Sequence, residues 1–185
     1  KLLWEKAEEE STGRILLEQI ADVIDPQPDH RTPAEVLDGM SYVSIANINM
    51  DGHVDSWGAR KVSPLAIEHQ EASFTLQTGD IVLGKIGTIG AARPIIVKER
   101  FALSANVVLV QPYRSKIDDK LLLAFLRSPQ AEEQFTGGTR TTAQGAFGIK
   151  KMRKLLMPLP SLQKQQALID FFEHLQGRIK TIQRI

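Results

Sequence analysis

The sequence contains no cysteine. A disulfide framework and a Cys-based zinc site are therefore excluded, and the composition fits a reducing compartment, so a cytoplasmic location is expected. No stretch approaches the ~18 apolar residues that a membrane-spanning helix needs; runs such as Val107-Val108-Leu109-Val110 are short. The opening residues, Lys-Leu-Leu-Trp-Glu-Lys-Ala-Glu-Glu-Glu, are too acidic, and their apolar part too short, for a secretory signal. No Met begins the chain, as expected of a piece cut or processed from something longer. The four histidines (His30, His53, His69, His174) are scattered and form no His-x-x-x-His pair, so surface positions are expected and a metal site is not. There is no Gly-x-Ser-x-Gly elbow, no internal repeat and no low-complexity segment. No convergent acid, base or nucleophile stands out, so neither enzymatic activity nor a cofactor is expected.

What is present is a globular composition: 185 residues, 42% hydrophobic and 24% charged, enough for one ordinary domain with appended structure. The net charge of +1 conceals an asymmetry. Residues 1–75 carry 6 Lys+Arg against 14 Asp+Glu, and residues 76–185 carry 17 against 8. Such a split points either to a polyanion-binding surface in the second part or to two halves that interleave and cancel.

Along the chain, residues 2–10 can form a short helix with Leu2, Leu3 and Ala7 as its apolar stripe, ended by Thr12-Gly13. Residues 14–24 read as strand then turn, and 25–30 as a proline-bearing loop. Strands are expected at 41–46, 73–76, 80–83, 95–97 and 106–110, with a hairpin turn at Asp51-Gly52. Helical spacing of Leu121, Leu122, Phe125 and Leu126 marks a helix from 118 to 128, followed by shorter helical pieces at 132–135 and 149–155. The two prolines of 156–160 impose extended backbone, and Ser161 can cap a last helix. In that helix Leu168, Phe172, Leu175, Ile179 and Ile182 recur at intervals of 4, 3, 4, 3. This is a coiled-coil seam about two heptads long, or else the apolar face of an ordinary amphipathic helix laid on the domain.

Two segments carry candidate chemistry. Gly84-Lys85-Ile86-Gly87-Thr88-Ile89-Gly90 is glycine-rich but fits neither nucleotide fingerprint, because its glycines lie three apart. It reads as a tight turn between strands, from which Lys85 and Thr88 reach a DNA phosphate or base. A nucleotide-binding enzyme built on this turn is the reading from a different class. Residues 136–154 hold Arg140, Lys150, Lys151, Arg153 and Lys154 and no acidic residue, together with Thr139, Thr141, Thr142 and Gln144. Basic side chains neutralise phosphates and release counterions, and Arg or Gln can read base edges by paired hydrogen bonds. The alternative is a solvated basic loop. Asp25-Pro26-Gln27-Pro28 departs in proline spacing and aromatic from the Asp/Asn-Pro-Pro-aromatic motif of amino-methylating DNA methyltransferases, and reads as a loop.

Three stretches, in this order, resemble the specificity subunits of type I restriction-modification systems. They are Gly79 to Gly90, Leu121 to Pro129 followed by Gly138-Thr139, and Ile149-Lys150-Lys151-Met152-Arg153-Lys154-Leu155-Leu156-Met157-Pro158-Leu159-Pro160-Ser161-Leu162 leading into Gln165-Gln166. Tyr42-Val43 and Asn47-Ile48 add to the match, which covers most of residues 15–175. The resemblance implies a mixed α/β (α+β), strand-rich domain that reads one half of a bipartite DNA site, then a spacer helix that pairs as a coiled coil. It implies a short N-terminal helix at 1–12, a recognition domain at 13–160 and the pairing helix at 161–185. It implies no catalysis by the subunit itself. Its partners would be double-stranded DNA, adenine methyltransferase subunits that use S-adenosylmethionine, a restriction subunit joining the complex, and a second recognition domain or second copy across the last helix. A recognition domain within a single-chain methyltransferase-nuclease is similar in kind. The contact residues expected on this basis are Lys85, Thr88, Thr139, Arg140, Thr141, Thr142, Gln144, Lys150 and Lys151, with Arg60 and Lys61 beyond them.

Overall fold

The computed structural model describes residues 2–29, 31–85, 91–136 and 148–182; the side chains of Leu2, Leu3, Thr12 and residues 175–182 fall outside that description. Helix α1 (Leu2–Glu10) leads into β1 (Ser11–Leu16), a 3-10 turn at Leu17–Gln19 and β2 (Ala21–Ile24). Then come β3 (Glu35–Val43), β4 (Arg60–Val62), α2 (Pro64–Glu71), β5 (Ile81–Gly84), β6 (Ala92–Pro94), β7 (Ala102–Leu103) and β8 (Val107–Pro112). The last part is α3 (Asp119–Leu126), α4 (Pro129–Thr136), α5 (Ile149–Arg153), β9 (Leu156–Pro160) and α6 (Leu162–Ile182).

The centre is an antiparallel sheet in the order β2-β8-β5-β6. Both of its faces are covered, which is why β5 and all of β8 from Val107 to Val110 are buried rather than alternating. One face, through Val23, Ile81, Leu83, Val108 and Val110, packs on the helices. The other, through Val82, Val107 and Leu109, packs on Val43, Ile48, Phe74, Phe101 and Leu103. A second sheet, β4-β3-β7, lies on that side, with β3 and β7 parallel. The architecture is thus the expected mixed α+β one.

The two chain ends meet. β1 pairs antiparallel with β9, Ile15 opposite Met157. Trp4 of α1 is buried edge-on to Phe125 of α3, with ring centroids 5.4 Å apart. Gln165 fixes α6: its Nε2 donates to the carbonyls of Lys116 and Pro160, each at 2.9 Å, and its Oε1 accepts from Asp118 N at 2.8 Å. Asp118 in turn caps α3, its carboxylate accepting from Lys120 N at 2.8 Å.

Several expectations are corrected. Residues 73–76 form no strand; Phe74 is buried, but the Thr75 carbonyl is taken by the Gln111 side chain rather than by a ladder. The strand expected at 95–97 lies at Ala92–Pro94 instead. Past Pro94, the donors of Ile95, Ile96 and Val97 go to Asp80 O, Gly52 O and Thr78 Oγ1, which breaks the pairing. β3 begins six residues before the expected start and ends at Val43, because Asn47 Oδ1 takes the Ser44 N–H and turns the chain. Helix α2 has no counterpart in the periodicity, since Ile67 is its buried apolar residue beside buried Gln70.

Leu168 is also reassigned. It is 2% exposed in the same core cluster as Trp4 and Phe125, beside Ile169, and Phe172 packs against that cluster. The first part of the supposed seam faces this chain's own domain, as the amphipathic-helix alternative has it. Leu175, Ile179 and Ile182 lie in α6, but their side chains are outside the described residues.

Candidate nucleic-acid interface

The acidic and basic halves interleave, and much of the charge asymmetry is spent inside the chain. Glu10 meets Lys164, Asp25 meets Lys85, and Glu71 holds Arg100 through two hydrogen bonds of 2.9 and 2.6 Å. In each pair the acid comes from the first 75 residues and the base from the rest. The carboxyls of Glu10 and Glu71 are held below the usual range, chiefly by these hydrogen bonds.

Lys85 is therefore corrected as a surface contact. It is 5% exposed, and its Nζ lies 2.9 Å from Asp25 Oδ2. Burying an ammonium is costly unless it is paired, and Asp25 supplies the counter-charge from the loop after β2. That loop is itself anchored: Gln27 is buried, its amide donating to Asp29 and to the Arg31 carbonyl. Lys61 is similarly committed, its Nζ donating to Ser41 Oγ at 3.0 Å and to the Ser56 carbonyl at 2.8 Å. Arg60 is exposed, with Glu35 3.8 Å away.

Lys150 and Lys151 have the opposite setting. Both are exposed on α5, as are Arg153 and Lys154 at its end. Among the described residues, none of these four makes an ion pair. The orientation of α5 follows from Arg153, whose guanidinium donates to the Val23 carbonyl at 2.9 and 3.3 Å. β2 is an edge strand, so that carbonyl would otherwise need water. Met152, buried in the helical core, anchors the opposite face. The chain thereby presents a short basic helix at one edge of the central sheet. Thr88 and Thr139, Arg140, Thr141, Thr142 and Gln144 lie outside the described residues. His53, His69 and His174 are exposed, and His30 is outside the description.

Sequence reasoning missed Asp25 as the partner of Lys85 and Arg153 as the brace of α5. Asp25 stands 60 positions from Lys85, and no local pattern links them. No described helix is long and apolar enough to cross a membrane.

The fold recurs in solved proteins. The fold matches the HsdS subunit of Thermoanaerobacter tengcongensis with a TM-score of 0.66 at 16% identity, covering 99% of this chain and 44% of that one. A chain from a structure of type I R-M system assembly and conformational transition gives 0.69 at 15% identity, covering 99% and 45%. In sequence, the EcoBI type I restriction enzyme specificity subunit of Escherichia coli is 26% identical over 153 residues, 81% of this chain and 31% of that subunit. Residues 34–185 match the type I restriction modification DNA specificity domain, and the chain belongs to that family. It spans about a third of the curated relative and under half of each solved chain.

Proposed function

We propose that this chain is a non-catalytic DNA-sequence reader that directs a type I restriction-modification complex to one half of a bipartite site. The observation that carries this reading is the exposed face of α5, with Lys150 and Lys151 unpaired among the described residues, at the end of the acid-free stretch 136–154. Exposed lysines gain little within a lone chain and much against a polyanion, where each phosphate contact releases counterions. Thr139, Arg140, Thr141, Thr142 and Gln144 precede this helix in the sequence and supply side chains able to read base edges, and Thr88 is added from the glycine-rich segment that follows β5.

Its partners are double-stranded duplex, adenine methyltransferase subunits and, through them, a restriction subunit in the cytoplasm. A second recognition module joins through the far part of α6, beyond the segment bound to this domain. Two copies related by a two-fold axis would read a palindromic bipartite site.

The test is selection from a randomised duplex pool by the intact chain, followed by binding of the selected duplex and a scrambled one. One enriched half-site is expected. Arg140→Ala should cost roughly 1–3 kcal/mol on the selected duplex. Recovery of no sequence, together with equal binding by Arg140→Ala, would remove the reading.

A further inference from the structure

The other edge of the central sheet holds two arginines with no obvious structural reason to share a place. Arg93 lies on β6, and Arg127 is the residue that ends α3. Both donate to one acceptor, the Ala92 carbonyl, Arg93 through Nη1 at 3.1 Å and Arg127 through Nε at 3.1 Å. The two guanidinium groups therefore sit within a few ångström of each other. Burial first, then the like charge of Arg93, pulls the Arg127 guanidinium below its usual value, and Asp51 offsets part of this.

Like charges brought together normally have a carboxylate between them. Among the described residues, neither arginine forms an ion pair, and Asp51 acts only at longer range. The undescribed stretches cannot supply an acidic side chain either, since residues 1, 30, 86–90, 137–147 and 183–185 contain no Asp or Glu. Among the described residues, Arg93 Nε is in addition a buried donor without a hydrogen-bond partner. The pair thus has an excess of charge and of donors that an external anion would satisfy.

The sheet register relates this pair to α5. Ile24, Leu109, Val82 and Arg93 form one row across β2, β8, β5 and β6. Arg93 is thereby three strand spacings, about 14 Å, from the β2 edge, where Arg153 braces α5 on Val23. The major groove of B-DNA is about 12 Å wide. Basic patches at the two edges of one sheet, α5 lying outside β2 and the arginine pair at β6, suit the two phosphate rows that border a groove.

We propose that Arg93 and Arg127 form a phosphodiester-binding site that holds the second backbone of the duplex whose first backbone lies against α5. This rests on the DNA-reading function above. The site is sequence-independent: it positions the duplex and reads no base. Arg127 also donates to the Met50 carbonyl at 2.9 Å, so it braces the loop before Gly52. Arg93 bonds to its own neighbour's carbonyl among the described residues, which makes it the cleaner position to change.

The experiment measures duplex affinity of the intact chain against KCl concentration for wild type, Arg93→Gln, Arg93→Lys, Arg93→Met and Lys150→Gln/Lys151→Gln, on selected and scrambled duplexes. Arg93→Gln is expected to lower the log-affinity against log-salt slope by about 0.9, equally on both duplexes, with no loss in the thermal midpoint of the free chain. Arg93→Lys keeps the charge and should keep the slope; Arg93→Met removes it and should repeat the loss of about 0.9, which decides the question if the glutamine variant fails to fold, an unchanged slope there overturning the site. An unchanged slope in Arg93→Gln, with the α5 double variant reduced, would overturn the phosphate site and leave the reader intact. A wild type with no salt-dependent binding would overturn both.

Discussion

Lys85 and the Lys150-Lys151 pair look alike in sequence, each a lysine beside glycine-loosened backbone, yet the fold gives them opposite environments. Lys85 is buried at the end of the central sheet with Asp25 2.9 Å away. Lys150 and Lys151 stand exposed on a helix held by Arg153 and Met152. A buried ammonium with one counter-ion serves the fold, because removing either partner strands the other. An exposed lysine with no counter-ion contributes almost nothing to the fold and is free for a polyanion. Local composition does not separate these cases; the location of the carboxylates does.

The difference is large enough to measure. Lys85→Met should show the biggest effect, a loss of about 3 kcal/mol in urea unfolding, as Asp25 is left partly buried and unpaired. Its duplex salt slope should match wild type; a reduced slope with unchanged stability would reverse the assignment. Lys150→Gln/Lys151→Gln should do the converse, changing stability by no more than about 0.5 kcal/mol while the slope falls by about 1.8 for two lost contacts. Arg153→Met lies between them. The Val23 carbonyl loses a charged donor, so a stability loss of about 1 kcal/mol is expected, with some loss of duplex affinity as α5 loosens.

The smallest effect concerns Asp80, which is fully buried and accepts from Gln77 N at 2.9 Å and from Gln111 Nε2 at 2.6 Å. Burial raises its carboxyl above the usual value, against those hydrogen bonds and Arg114. The folded chain therefore takes up this proton at higher pH than the unfolded chain does. Stability attributable to Asp80 should rise as pH falls through the raised folded value and level off below the unfolded one. Wild type should gain on Asp80→Asn over that interval in paired urea melts; parallel curves would contradict it.

The helical core was legible in the sequence because Leu121, Leu122, Phe125 and Leu126 repeat at helical spacing and Asp118 caps the run. Strands β5 and β8 were legible as short apolar runs, since sheets covered on both faces need them. Helix α2 was hidden, because eight residues with a single buried apolar side chain carry no stripe; its Ser63 cap and Pro64 were the available signals. The displaced strand at 92–94 was hidden for another reason, as Pro94 and three non-strand acceptors decide where pairing ends. In α6 the heptad spacing was real but ambiguous. A Leu168 that packs on its own domain and one that packs on a partner leave the same trace in sequence, and only the position of Gln165 against Lys116 and Pro160 fixes the helix face. At the candidate interface, the acid-free stretch pointed to α5, whereas Asp25 and the Arg93–Arg127 pair needed three-dimensional proximity.

The most direct measurement is amide hydrogen exchange of the intact chain with and without its selected duplex. Protection on binding is expected in two segments, 85–93 and 137–154. Protection confined to 35–62 or to α2, with neither segment affected, would contradict the account.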